Sequence, residues 1–309
     1  MKKESFSKKV KEEISSLDIE SLPKKKALLA GYIRINGSLL IRNKRSILSL
    51  PSENAKISKY IYSLLIDVYQ ASAHIDFEKK SSRTVYKVSV DSKAELILED
   101  LDISFFEGKI SKSIVYDDDT IAGYLSGIFL ATGSINSPVT SNYHLEMSIN
   151  DENHAKWILH LFTRYKHTSI EPKIIKRRNK WIVYFKKSDQ IAEFLLLIGA
   201  VSSCMEFENI RIDRDYRNSA NRLTNFDTAN MSKTVEAGKR QANEIKALIE
   251  VVGLENLGNQ KTQMIAKYRL DYDASPLEEI ASMVSEELDE TITKSNVNHV
   301  LRRLHDLYI

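Results

Sequence analysis

"LLAGYIRINGSL" (28–39) is a glycine-spaced apolar stretch, and about a hundred residues on "LSGIFLATGSI" (125–135) repeats its form. Small residues at Ala30-Gly31 and Ser126-Gly127 allow two helices to cross at close range. The order of elements around the two stretches repeats as well. Each is followed by "GS" (Gly37-Ser38, Gly133-Ser134), a strand candidate, and a helix: "SENAKISKYIYSLL" (52–65) or "DENHAKWILHLF" (151–162). Ile57, Tyr60, Ile61 and Leu64 fall at helical spacing, as do Ala155, Ile158, Leu159 and Phe162. Ser52 and Asp151 are the expected N-caps, since their side-chain oxygens can accept from free N–H groups of the first turn. A basic hairpin comes next, "FEKKSSRTVYKVSV" (77–90) or "PKIIKRRNKWIVYFKK" (172–187), and a short apolar helix closes each half. Two copies predict a duplicated αββαββα half-domain with a broad curved sheet, not a solenoid.

Both glycine-spaced stretches resemble the helix-packing signature of the LAGLIDADG DNA endonucleases. The resemblance implies a saddle of the kind those proteins place on duplex DNA, with Gly31 and Gly127 at the helix crossing. It fails at the catalytic positions. Where the signature ends in an acid the chain has Asn36 and Thr132, and at its other acidic position Arg34 and Leu130. Hydrolysis of a phosphodiester by such enzymes needs carboxylates that hold divalent metal ions, and a neutral amide and a hydroxyl do not replace them. Asp117-Asp118-Asp119 precede the second signature helix, where capping and the helix dipole account for them more simply than metal binding does. No cofactor, metal or catalytic residue is expected.

Composition bounds the remaining possibilities. With 309 residues, two or three domains are expected, and 42% hydrophobic residues suffice for real cores. The net charge of +3 does not by itself identify a nucleic-acid partner, so the distribution of charge has to. A single cysteine, Cys204, excludes an internal disulfide and a Cys-rich zinc site. The N-terminal "MKKESFSKKVKEEISSL" lacks a signal-peptide core and "FLLLIGAV" (194–201) is too short to span a bilayer, so a soluble intracellular protein without a membrane partner is expected. In the second hairpin, Lys176, Arg177, Arg178 and Lys180 cluster near Trp181 and Tyr184. A two-stranded ribbon fits the major groove and these cations would neutralise phosphates. A solvated hairpin tip with Trp181 in the core fits the same residues.

After residue 210 strand patterns stop. "IDRDYRNSANRLTNF" (212–226) reads as a connecting helix with Arg217 and Arg222 on its polar faces, "TVEAGKRQANEIKALIEVVG" (234–253) as a second helix, and "NQKTQMIAKYRLD" (259–271) as a third. In "SPLEEIASMVSEEL" (275–288), Ser275, Pro276 and Glu278 predict a capping box with proline at the first helical position. "TKSNVNHVLRRLHDLY" (293–308) is capped by Thr293 and buries Val297, Val300, Leu301 and Leu304, which leaves Lys294, Ser295, Asn296, Asn298, His299, Arg302 and Arg303 outside. This pattern fits a helix-turn-helix at about 275–308, whose second helix enters the major groove by its N-terminal residues. His299 has no second ligand at metal-binding spacing.

The segment "YRNSANRLTNFDTANMSKTVEAGKRQ" (216–241), followed by the two C-terminal helices, resembles the WhiA family of bacterial transcription regulators. Asn296 stands where that family often has glycine. The resemblance covers nearly the whole chain and implies an α+β duplicated LAGLIDADG-like domain joined to an all-α helix-turn-helix domain. The expected division is 1–115, an N-terminal extension and the first half; 116–210, the second half; 211–228, a linker helix; and 229–309, the C-terminal domain. It further implies promoter DNA as partner, RNA polymerase or a second transcription factor as candidate protein partners, a cytoplasmic location at the nucleoid, and control of cell division, chromosome segregation or sporulation-type genes. A metal-dependent endonuclease and an RNA-binding protein are the alternatives from other classes.

Overall fold

The signature helices dictate the architecture. In this computed structural model, which describes residues 5–42, 45–81, 83–105, 113–140, 142–166 and 168–309, the chain forms two compact units, Met1–Asp213 and Arg214–Ile309. Unit one begins with α1 (Phe6–Ile14). The first half follows as α2 (Leu22–Asn36), β1 (Ser38–Arg42), β2 (Arg45–Ser52), α3 (Ala55–Tyr69), β3 (Ala73–Lys79), β4 (Thr84–Val90) and α4 (Ala94–Asp100). The second half is α5 (Asp118–Thr132), β5 (Ser134–Ile135), β6 (Leu145–Ile149), α6 (Glu152–Arg164), β7 (Lys173–Arg177), β8 (Lys180–Phe185) and α7 (Ser188–Leu197). Each half is therefore αββαββα. The strands form two four-stranded antiparallel sheets, ordered β1-β2-β4-β3 and β5-β6-β8-β7, rather than one broad sheet. Helices join the halves, and among the described residues no strand pairing crosses between them.

The glycines of the signature have a reciprocal role. A Cβ on Gly31 would stand 2.3 Å from the Tyr124 carbonyl oxygen, and one on Gly127 would stand 2.1 Å from the Leu28 carbonyl oxygen. Each glycine thus meets the backbone of the residue three positions before the other glycine, which is the reciprocity of a two-fold contact. Around the crossing, Leu28, Ile33, Tyr124, Ile128 and Phe129 are buried and join one core with both sheets.

Local capping decides where the flanking helices start. Asp151 caps α6 by accepting from the His154 N–H at 2.7 Å, as its position predicts. Ser52 does not cap α3. It is the last residue of β2, paired with Tyr86, and the cap passes to Asn54, which accepts from the Lys56 and Ile57 N–H groups. Asp117 closes a full capping box with Thr120 at the start of α5.

The separate helices expected over 212–226 and 234–253 are one helix, α8 (Val201–Val252), of 52 residues. No proline interrupts this stretch, and Gly238 is tolerated because only a glycine admits the Asp273 carbonyl oxygen, 1.8 Å from where a Cβ would lie. The second unit packs α9 (Gln260–Asp271), α10 (Leu277–Leu288) and α11 (Lys294–Tyr308) against the end of α8 through Ile245, Ile265, Ile280, Val284, Val297 and Leu301.

Candidate nucleic-acid interface

The second unit brings seven of the sequence-derived candidates onto one helix. Between α10 and α11 the chain turns at Asp289, in the left-handed region at φ 52°. Ser285 fixes the turn by donating its hydroxyl to the Ile292 carbonyl and accepting from the Ile292 N–H at 2.9 Å. Before α10 the expected capping box is absent. Pro276 is the N-cap with no side-chain bond, the Ser275 carbonyl takes a hydrogen bond from buried Arg269 at 2.8 Å, and Glu278 pairs with Lys294 at 2.8 Å. Arg269 also donates to the Tyr272 and Asp273 carbonyls, so one guanidinium organises the turn that leads into α10.

Val297, Leu301 and Leu304 bury one face of α11, and Ser295, Asn298, His299 and Arg302 lie on the opposite face. All seven candidates, Arg303 included, are exposed. They differ in what holds them. The Asn296 side-chain oxygen accepts from the Thr293 N–H at 3.0 Å and hydroxyl at 2.7 Å, completing a capping box, so its carboxamide is committed to the helix start. Lys294 is held by Glu278 in an exposed pair of the kind worth at most about 1 kcal/mol, which a phosphate can displace. Among the described residues no hydrogen bond or ion pair occupies the side chains of Ser295, Asn298, His299, Arg302 and Arg303. Arg217 and Arg222 are exposed on α8, within a stretch from 215 to 233 that is exposed on every side.

Strand alternation splits the basic hairpin of the first unit. Arg178, at φ 55°, and Asn179 make its two-residue turn, as expected. Arg177 and Lys180 share the open face of the sheet with Tyr184. Lys176 pairs with Trp181 on the other face, its Nζ 5.5 Å from the indole centroid, and Trp181 is partly buried. Arg177 lies 3.4 Å from Glu146, which also holds His144 at 2.9 Å. Lys173 stands opposite Tyr184 on the open face, and Lys186 lies 5.6 Å from the Tyr184 ring. Both lysines lie outside the four cations named as candidate contacts from the sequence, although period-two alternation from Arg177 reaches Lys173.

At the signature's acidic positions, Thr132 accepts from the Ser148 N–H at 3.3 Å and Arg34 donates to the Ser104 carbonyl. Burial raises the pKa of the Tyr32 hydroxyl, while hydrogen bonds from Asn36 and Ser52 oppose that shift. The Thr120 hydroxyl and N–H hold the Asp117 carboxyl below the usual range, Asp119 pairs with Lys24 at 2.8 Å, and Asp118 accepts from the Lys166 N–H. Among the described residues no group of three or more His, Cys, Asp or Glu side chains is placed to hold a metal ion, and no helix is long and apolar enough to cross a membrane.

The chain matches the WhiA N-terminal LAGLIDADG-like domain over residues 23–104, the WhiA LAGLIDADG-like domain over 121–217 and the WhiA C-terminal HTH domain over 220–308. It is 39% identical over 308 residues to a probable cell division protein WhiA of Enterococcus faecalis, covering 98% of this chain and 96% of that protein. The chain belongs to the WhiA family. A Staphylococcus aureus relative of the same name is 38% identical over 309 residues, covering 98% and 96% of the two chains. The fold is that of full-length DUF199/WhiA from Thermatoga maritima, with a TM-score of 0.60 at 24% identity over 99% of this chain and 98% of that one. The N-terminal LAGLIDADG domain of DUF199/WhiA superposes with a TM-score of 0.52 at 22% identity, covering 64% of this chain and 91% of that one.

Proposed function

We propose that this WhiA-family chain is a sequence-specific DNA-binding transcription regulator with no nuclease activity. The observation that carries the reading is α11. Its capped N-terminus leaves backbone N–H groups free for a phosphate, and Asn298 and Arg302 stand one turn apart on its exposed face with no side-chain partner among the described residues. Asn bonds adenine edges and Arg bonds guanine, while Lys294 and Ser295 at the first turn serve phosphates. Asn296 serves as the cap that holds this geometry. His299 and Arg303 flank the groove-facing stripe.

Arg177, Arg178 and Lys180, with Arg217 and Arg222, are accessory backbone contacts, and Lys176 contributes charge from the other side of the hairpin. The replaced acids support a scaffold that binds without cutting. The relatives are named as probable cell division proteins, and control of division, segregation or sporulation-type genes at the nucleoid of the cytoplasm is the corresponding role here, with RNA polymerase or another transcription factor as partner. Mapping genomic sites bound in the cell tests the reading: sites sharing one motif upstream of such genes support it, and binding without a motif refutes it. Competition between structured RNA and duplex DNA separates it from an RNA-binding role.

A further inference from the structure

A cavity of about 650 Å³ opens where the signature's first acid would stand. Asn36 lines it together with Leu130, and α1 brings Lys8 and Lys11 to it. The tip of the β3–β4 hairpin adds Lys80 and Arg83, and Glu53 is the one carboxylate among the described lining residues. The charges are unequally settled. Arg83 is paired with Glu53, Lys8 with Glu12 at 3.5 Å, and Lys80 with exposed Glu78 at 3.9 Å. Lys11 has no carboxylate partner among the described residues; its Nζ lies 5.9 Å from the Phe129 ring centroid, and burial brings its pKa down to about 8.

An ammonium withdrawn from water without a counter-ion is costly, and that cost falls when an anion supplies the missing charge. Four cationic side chains exceed what the two oxygens of a carboxylate can use, whereas a phosphate offers more acceptor positions to such donors. The volume lies within the range of ordinary small-molecule sites and would take a nucleotide-sized molecule. We propose that this cavity binds a small phosphorylated molecule, with a phosphate seated on Lys11 and ringed by Lys8, Lys80 and Arg83. The positive charge beside Asn36 then comes from a lysine of α1. A duplex backbone touching the surface would reach exposed Lys80 and Arg83 before partly buried Lys11, so the two sources of phosphate separate at Lys11. The inference stands independently of DNA reading by α11.

Calorimetric titration of the full chain with pyrophosphate, adenosine monophosphate, adenosine and a short duplex tests it. Pyrophosphate and adenosine monophosphate should bind and adenosine should give no heat. Lys11→Met should weaken both phosphate ligands at least tenfold while retaining the helical content of the wild type. Lys80→Ala, at an exposed hairpin position that leaves folding unaffected, should weaken them at least threefold, and Lys156→Met on α6 should change nothing. Absence of binding by either phosphate ligand would overturn the proposal. So would equal affinity in Lys11→Met, or a loss confined to the duplex, which would assign the cavity to a DNA backbone.

Discussion

Gly31 and Gly127 show how single residues hold the first unit together. Their missing side chains let two backbones touch, and any Cβ at either place would lie within 2.3 Å of a carbonyl oxygen. Backbone cannot yield as a side-chain tip can. Gly31→Ala or Gly127→Ala should therefore cost about 3 kcal/mol or more, measured by urea unfolding of the first unit's transition. A change below 0.5 kcal/mol in both would mean that the helices do not meet there. His154 gives a second residue-scale test. Its Nε2 lies 2.8 Å from the Tyr124 hydroxyl, and burial, assisted by Arg34 and opposed by Asp151, depresses the imidazole pKa to about 3. Between the unfolded value near 6.5 and that folded value, the unfolded chain binds more protons, so stability must fall as pH drops through this window. The slope from one such group approaches about 1.4 kcal/mol per pH unit. His154→Gln should remove that slope from the acid limb of a stability–pH curve; an unchanged limb would show that the ring is charged in the fold.

Among the elements, α8 departs most from its sequence pattern, and its start depends on a distant residue. Glu13 of α1 accepts from the Ser202 N–H at 2.6 Å and the Ser203 N–H at 2.8 Å, giving the first turn of α8 its anion. Glu13→Gln should lower stability by about 1–2 kcal/mol, and the loss should shrink in high salt, as thermal unfolding at two ionic strengths would reveal. A loss independent of salt would assign Glu13 a packing role instead. This contact also marks where sequence reading stops. The αββαββα order was legible because helical spacing, hairpin turns and cap residues are local features. Ser52 is not the cap, because strand pairing across to Tyr86 extends β2 to that residue. At Ser275 the box does not form: Pro276 takes the N-cap position, and the Glu278 carboxylate turns to Lys294 outside the segment. On α11 every candidate position was legible as exposed, but the commitment of Asn296 to the cap turns on side-chain geometry that its neighbours in sequence leave open.

At the scale of the whole molecule, a duplicated LAGLIDADG-like domain without the signature's acids is joined to a helix-turn-helix domain. Purified protein should leave supercoiled plasmid intact in Mg²⁺ or Mn²⁺. Nicking that EDTA prevents and that substitution of Asp117–Asp119 abolishes would instead reveal a metal-dependent nuclease. If that first domain does not read sequence, sequence choice belongs to α11. Deleting that helix would bare Ile265 and Ile280 of the second unit's core, so surface substitutions in the full chain are the cleaner probe. The most direct measurement is selection of bound sequences from a random duplex library by the wild type and by the Asn298→Ala/Arg302→Ala variant, each at two salt concentrations. The wild type should enrich one motif, with each lost base contact worth about 1–3 kcal/mol. The variant, folded by circular dichroism, should retain only weak, salt-sensitive binding without that motif. Enrichment of the same motif by the variant with undiminished preference would place the reader elsewhere in the chain.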